Sequence, residues 1–245
     1  MKKEIRRTLL YALYSGFLVH KASRRLVKQN GHSLISTWAT YSPWLLDTEF
    51  IENYALAFSR TLIDQYRAFE LWQIALQQRN VPGDYLEVGV WKGGSALLLG
   101  KSIGNANKVL YLADTFAGVV NSGVHDSTYI NGEHADADVE DVKVFLGANL
   151  VIPFKVLVGN FPTATGHLVS EKLALVHIDV DVYESGKQIL EWCTPRMSPD
   201  GVIIFDDYGF LSTNGITKLV DEITNRGEFL VIYNLNGHAI LVKKN

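Results

Sequence analysis

From residue 84 onward, short apolar runs alternate with polar turns and with stretches in which apolar residues recur every three or four positions. Continuous apolar runs read as strands buried on both faces, and the 3.6-residue recurrence reads as amphipathic helix. Strands are expected over Tyr85–Val90, Lys108–Ala113, Phe154–Val158, Leu173–Val180 and Val202–Phe205, and helices over Ser95–Ile103, Asp136–Leu146, Glu184–Cys193 and Ile216–Asn225. Met197-Ser-Pro-Asp-Gly201 reads as a turn ahead of the fifth strand. Phe229–Tyr233 and His238–Val242, joined by Asn234-Leu-Asn-Gly237, predict a closing hairpin. Strands that alternate with helices imply a parallel sheet covered on both sides. The expected fold is therefore α/β, an open sheet of seven strands with the last one reversed.

The first third of the chain has a different texture. Residues 31–80 hold no strand run, and the pairs Phe50/Tyr54, Phe58/Leu62 and Trp72/Leu76 predict one or two helices before Pro82 and Gly83 stop them. Three parts follow: an arm over 1–40, a helical lid segment over 41–80 and the main domain over 81–245. Aromatic residues along 50–78 suit a homo-oligomer interface.

Charge changes the picture of the arm. The chain carries a net charge of −3, yet residues 1–30 hold eight basic residues and only Glu4 as an acid, so the rest carries −10. An acidic body argues against a nucleic-acid partner. The arm's apolar stretch, roughly twelve residues between Arg7 and Lys21, is shorter than the ~20 a spanning helix needs. No small-residue cleavage site follows it, which disfavours a secretory signal. Ile5, Leu9, Leu13 and Phe17 share one helix face. That face would pack on the body or a partner subunit, or lie as an interfacial helix on the inner membrane surface. Cys193 is the only cysteine, which excludes a disulfide framework or a Cys-rich zinc site and fits a cytoplasmic setting.

Candidate chemistry sits at strand ends. Tyr85-Leu-Glu-Val-Gly-Val-Trp-Lys-Gly-Gly-Ser95 places glycines in the first strand-to-helix turn, where ligands of open α/β sheets bind. The spacing Gly89-x3-Gly93-Gly94 does not match GxGxxG, and a phosphate-loop Lys-Ser/Thr pair is missing. Glu87 would repel a pyrophosphate; it could accept hydrogen bonds, balance the cationic amino and sulfonium groups of S-adenosylmethionine, or serve as a helix-dipole or salt-bridge partner. Asp114, at the end of the second strand, suits ribose hydroxyls, although an acid there also serves to cap the next turn. The second constellation is His177-Ile-Asp179-Val-Asp181 with Asp206-Asp207, at the ends of two strands that such a sheet makes neighbours. Four converging carboxylates call for a cation, and an all-oxygen set favours Mg²⁺, Mn²⁺ or Ca²⁺ over zinc. Single members would also serve as helix caps or arginine partners, and a lone strand histidine such as His177 is most often a core residue. A dication lowers the pKa of a coordinated oxygen and a nearby carboxylate takes the proton, which makes an alcohol nucleophilic.

With Ser59-Arg-Thr-Leu-Ile-Asp64, Ala113-Asp-Thr-Phe-Ala-Gly118, Gly132-Glu-His-Ala-Asp136, Gly159-Asn-Phe-Pro162 and Ile204-Phe-Asp-Asp-Tyr208, these motifs resemble the macrocin O-methyltransferase family (TylF/MycF type) over about residues 45–243. The resemblance implies a Rossmann-like class I S-adenosylmethionine-dependent methyltransferase fold and Mg²⁺- or Mn²⁺-dependent methylation of a sugar hydroxyl. It implies metal ligation by Asp179, Asp206 and Asp207, with Asp181 as general base. Glu87, Gly89, Ser95, Asp114 and Thr115 would line the S-adenosylmethionine site, with Thr61 closing over it. Phe116, Tyr183 and Tyr208 are further candidates near the sugar or methyl donor. The acceptor would be a sugar-containing small molecule, either an antibiotic sugar or a cell-surface saccharide. A catechol-type O-methyltransferase, a nicotinamide-dependent oxidoreductase and a non-catalytic membrane scaffold are the competing readings.

Overall fold

Strands β1 (Asp84–Val88), β2 (Leu110–Asp114), β3 (Phe154–Val158), β4 (Leu173–Ile178), β5 (Met197–Phe205), β6 (Phe229–Tyr233) and β7 (Ala239–Lys243) form one sheet in a computed structural model that describes residues 42–244. Their order is β3-β2-β1-β4-β5-β7-β6, with β7 antiparallel to both neighbours and every other pairing parallel. The reversed last strand and the closing hairpin are thus as the sequence pattern predicts. The readings of the arm lie outside the described residues. Among those residues, no helix is long and apolar enough to cross a membrane.

The chain divides after Asp47 into two units, and within the first the described part is a 3-10 turn, Pro43–Leu46. The second unit starts at Thr48 and includes the helices expected as a lid, α1 (Thr48–Ala57) and α2 (Gln65–Gln77), together with the sheet. Two helices form because Asp64 interrupts. Its carboxylate accepts the amides of Tyr66 and Arg67 at 2.8 and 3.1 Å and so starts α2. The buried stripe of α2 is Arg67, Ala68, Leu71, Trp72 and Ala75, apolar except at its first position.

The remaining helices are α3 (Gly94–Ile103), α4 (Val139–Asn149), α5 (Tyr183–Cys193) and α6 (Asn214–Thr224). Helix α4 begins three residues later than the periodicity suggests, because Asp138 caps it by accepting the Asp141 amide at 2.8 Å. The turn expected at 197–201 lies inside β5. Met197 pairs with Leu173, the register then shifts, and Asp200 adopts φ +63°, so the turn residues make a bulge within a longer strand. All six residues of β4 are buried, which suits a central parallel strand, and each large apolar side chain there contributes roughly 1.5–3 kcal/mol.

Two close approaches shape the crevice at the strand ends. A Cβ on Gly89 would lie 1.7 Å from the Asp179 carbonyl oxygen, and Gly89 has φ +92°, so only glycine fits between β1 and the turn after β4. A Cβ on Gly94 would meet the carbonyl oxygens of Ala57 and Arg60 at 2.7 Å, so the segment after α1 rests on the start of α3. Arg60 holds it there through Asp141 at 2.8 Å and the Lys92 carbonyl at 3.2 Å.

Candidate active site

One cavity of about 340 Å³ opens at the carboxyl ends of β1, β2, β4 and β5. Thr61, Gly89, Ser95, Asp114, Thr115, Asp179, Asp181, Asp206 and Asp207 all line it, so nine of the sequence candidates share one space. Glu87 does not. It is fully buried and meets His177 Nδ1 at 2.9 Å, its register partner on β4. Its carboxylate thus takes up a structural ion-pair position beneath the lining, with Oε1 toward the histidine. Phe116, Tyr183 and Tyr208 also lie off the lining. The phenols of Tyr183 and Tyr208 donate instead to Glu222 at 2.7 Å and Asp221 at 3.0 Å.

Asp114 illustrates how the sheet builds a ligand site. Its carboxylate accepts the amides of Val90 and Trp91 on one oxygen, at 2.7 and 2.9 Å, and of Phe116 on the other, at 2.7 Å. A carboxylate offers about four lone-pair positions, so about one stays open toward the cavity. The three amides lock the Gly-rich turn, and the remaining position can accept a hydroxyl.

The acidic cluster follows from register. Ile178 of β4 pairs with Phe205 of β5, and the Asp206 amide donates to the Ile178 carbonyl at 2.9 Å, so the ladder carries Asp179 and Asp206 out of the sheet side by side. Strand alternation then stops. Asp181 has φ +64° and Asp207 φ +69°, and these left-handed turns aim both side chains into the cavity. Such backbone costs on the order of 1 kcal/mol at a non-glycine residue and concentrates at functional sites.

Sequence reasoning missed the cations that meet this cluster. Arg67, buried on α2, pairs with Asp206 Oδ2 and with Asp64 at 2.9 Å. His238, the residue before β7, brings Nε2 to 2.9 Å from Asp206 Oδ1 and holds Glu70 of α2 by Nδ1 at 2.7 Å. A charged residue in the apolar stripe of α2 was the available signal for Arg67. Tyr129 and His134 also line the cavity, from a loop without periodicity.

Electrostatics sort the four carboxylates. Burial raises the proton affinity of Asp206, but His238 and Arg67 outweigh it and leave its pKa below the usual range. Burial and then the charge of Asp206 raise Asp179 and Asp207 well above that range. Burial pushes Asp181 up to about 6, against the opposing effects of His134 and the Tyr129 hydroxyl. For His238, burial disfavours the charge, but the facing carboxylates of Asp206 and Glu70 prevail and raise it. With every carboxylate ionised, one guanidinium and one imidazolium would leave two negative charges uncompensated.

These residues fit a divalent cation. Asp179, Asp206 and Asp207 each bring an oxygen to within 4.8 Å of the others, and Asp207 Oδ2 is buried without a protein partner. Because Arg67 already compensates Asp206, Asp179 and Asp207 carry the charge that a cation would relieve. An oxygen set of this kind suits Mg²⁺ or Mn²⁺.

Comparison with known proteins adds a lineage. The model of the macrocin-O-methyltransferase (TylF) family matches residues 55–228. A Streptomyces olivaceus protein, 8-demethyl-8-(2,3-dimethoxy-alpha-L-rhamnosyl)-tetracenomycin-C 4'-O-methyltransferase, is 30% identical over 172 residues, covering 61% of this chain and 66% of that protein. Mycinamicin III 3''-O-methyltransferase of Micromonospora griseorubida is 26% identical over 173 residues, covering 61% and 68%. The matched stretch thus spans just under two thirds of the first relative. The structure of the O-methyltransferase NovP superposes with a TM-score of 0.64 at 24% identity, over 76% of this chain and 83% of that one, and shares the fold.

Proposed function

Because the chain belongs to the TylF macrocin-O-methyltransferase family, we propose that it transfers the methyl group of S-adenosylmethionine to a hydroxyl of a sugar-containing small molecule, with a divalent cation at Asp179, Asp206 and Asp207. The observation that supports this reading is that Asp181, the three clustered carboxylates Asp179, Asp206 and Asp207, and the glycine turn at Gly89 share one cavity. When bound, the cation supplies a Lewis acid that makes a nearby hydroxyl more acidic. Asp181 then accepts the hydroxyl proton while the oxygen attacks the sulfonium methyl. The carbon–oxygen bond forms as the carbon–sulfur bond breaks, which leaves a methyl ether and S-adenosylhomocysteine. Asp114 takes a ribose hydroxyl on its open lone pair, and Gly89 keeps the crevice wall bare so that the ligand can approach the backbone. Thr61, Ser95 and Thr115 complete that wall. The relatives' names carry a rhamnosyl-tetracenomycin and a mycinamicin, which is why a glycoside is the acceptor class we favour.

The reading is tested by titrating the protein with S-adenosylmethionine and with NAD⁺ in a calorimeter, then screening glycosides and nucleotide sugars with isotopically labelled methyl donor. We expect binding of S-adenosylmethionine alone, with label in an acceptor that EDTA abolishes and Mg²⁺ restores. Binding of NAD⁺ instead would overturn the transferase reading, and EDTA-resistant turnover would overturn the cation assignment.

The pH profile gives a further expectation. Asp181 accepts a proton only when ionised, and burial sets its pKa at about 6. Turnover should therefore climb with rising pH along a limb centred no higher than about 6, and hold level above it. A rate that falls across that interval would rule out a carboxylate base.

A further inference from the structure

Behind the acidic wall of the cavity lies a second set of polar atoms that the proposed transfer does not use. His177, His238 and Glu87 are wholly buried, and Asp206 is 2% exposed. His177 Nε2, His238 Nε2, Asp206 Oδ1 and Glu87 Oε2 are all buried without a hydrogen-bond partner. Unpartnered buried polar atoms are uncommon, and several in one place call for an explanation.

The two histidines are dressed alike. His177 Nδ1 meets Glu87 at 2.9 Å, and His238 Nδ1 meets Glu70 at 2.7 Å. A carboxylate on Nδ1 fixes a proton there, so His177 presents its lone pair on Nε2 and His238 does so once a metal displaces the Nε2 proton that faces Asp206, the arrangement that supports metal-ligating histidines. One nitrogen of each ring and one Asp206 oxygen lie within 4.8 Å of one another. His238 Nε2 and Asp206 Oδ1 approach to 2.9 Å yet are not aligned for a hydrogen bond. Two atoms this close that do not point at each other can converge on a third position, since ligands about 2.0–2.2 Å from one ion and at right angles stand ~3 Å apart. The imidazole rings cross at 77° with centroids 6.2 Å apart, so they are not stacked against each other.

We infer that His177, His238 and Asp206 form a second, nitrogen-containing site for a divalent transition metal, set behind the oxygen site and sharing Asp206 with it. Imidazole ligands favour zinc, cobalt or iron over magnesium, so the two sites select different ions. Asp206 is the one member that also lines the cavity, and it offers Oδ1 to the buried site while Arg67 holds Oδ2. Glu87 and Glu70 orient the two rings. This assignment stands apart from the methyl-transfer reading and is read without turnover.

The test is Co²⁺ added to metal-stripped protein and followed by its visible absorption, which nitrogen ligation shifts and intensifies. The full chain should take up Co²⁺ with a nitrogen-type band, and excess Mg²⁺ should not displace it. His177→Gln should lose the band. Asp179→Asn, which removes an oxygen ligand from the cavity alone, should retain it. Glu70→Gln should weaken Co²⁺ binding by roughly 10–100-fold, the usual effect of losing a supporting carboxylate. No nitrogen-type band in the wild-type chain would overturn the site even if a histidine variant failed to fold, and so would a band that survives His177→Gln in folded protein. Failure of the transferase reading would show instead as no S-adenosylmethionine binding, with the cobalt result unaffected.

Discussion

Asp181→Asn should leave a folded protein that binds S-adenosylmethionine and divalent cations but transfers methyl groups roughly 10²–10⁴-fold more slowly, the range associated with a lost general base. The amide keeps nearly the volume of the carboxylate and accepts no proton at neutral pH. Asp181 sits in a left-handed turn, where asparagine is as well tolerated as aspartate, so the substitution adds little backbone strain. Nor does it break an ion pair, since the charged contacts of the cluster belong to Asp206. The measurement is single-turnover transfer to a saturating acceptor, alongside calorimetric affinity for the methyl donor. Native-rate transfer by the variant would move the base elsewhere in the cavity, with His134 the next residue to examine.

Arg67→Met should act on stability. The guanidinium is a buried partner of Asp206, and methionine fills a similar volume without charge. Removing one member of a buried pair strands the other, at a cost of roughly 3–5 kcal/mol. For a domain of this size that corresponds to a fall in melting temperature of roughly 6–20 °C. His238 keeps its contact with Asp206 and softens the loss, which places the effect toward the lower end. A divalent cation should recover part of the lost stability, because a ligand that binds only the folded state shifts the unfolding equilibrium. Thermal unfolding with and without Mg²⁺ measures both effects. An unchanged midpoint would mean that Asp206 is not ionised in the native protein.

Strand positions were the most legible part of the chain. Phe154–Val158 and Phe229–Tyr233 match the expected bounds, since a short apolar run between turn signals leaves little latitude. Boundaries moved where side chains decided them: Asp138 delays α4 by capping it, and Asp200 lets β5 pass through a bulge that looks like a turn in one dimension. The acidic cluster was legible because each member ends a strand and neighbouring strands are in register. The place of Glu87 was less legible, because proximity to a glycine turn says nothing about which face of β1 a side chain takes, and it took the face of His177. Arg67, Glu70 and His238 were missed because their meeting is tertiary: α2 and the β6–β7 hairpin lie far apart in sequence and touch only across the fold.

The loop between β2 and α4 is tied down by contacts that lie away from the acidic cluster. Val119 exchanges backbone hydrogen bonds with Glu133 and Gly132, which close its neck at 2.8 and 2.9 Å. Near its tip, Asp126 accepts the Tyr183 amide at 2.9 Å at the head of α5, and Ser127 donates to Asn214 at the start of α6. Tyr129, which faces the cavity, hangs between these anchors, and His134, which also lines it, follows directly after the neck. A loop moored at neck and tip can exchange the residues between its moorings while the sheet, the strand-end acids and the glycine turn stay in place. Acceptor preference would then be the most evolvable property of this scaffold, open to change by grafting a few loop positions and insulated from the chemistry beneath.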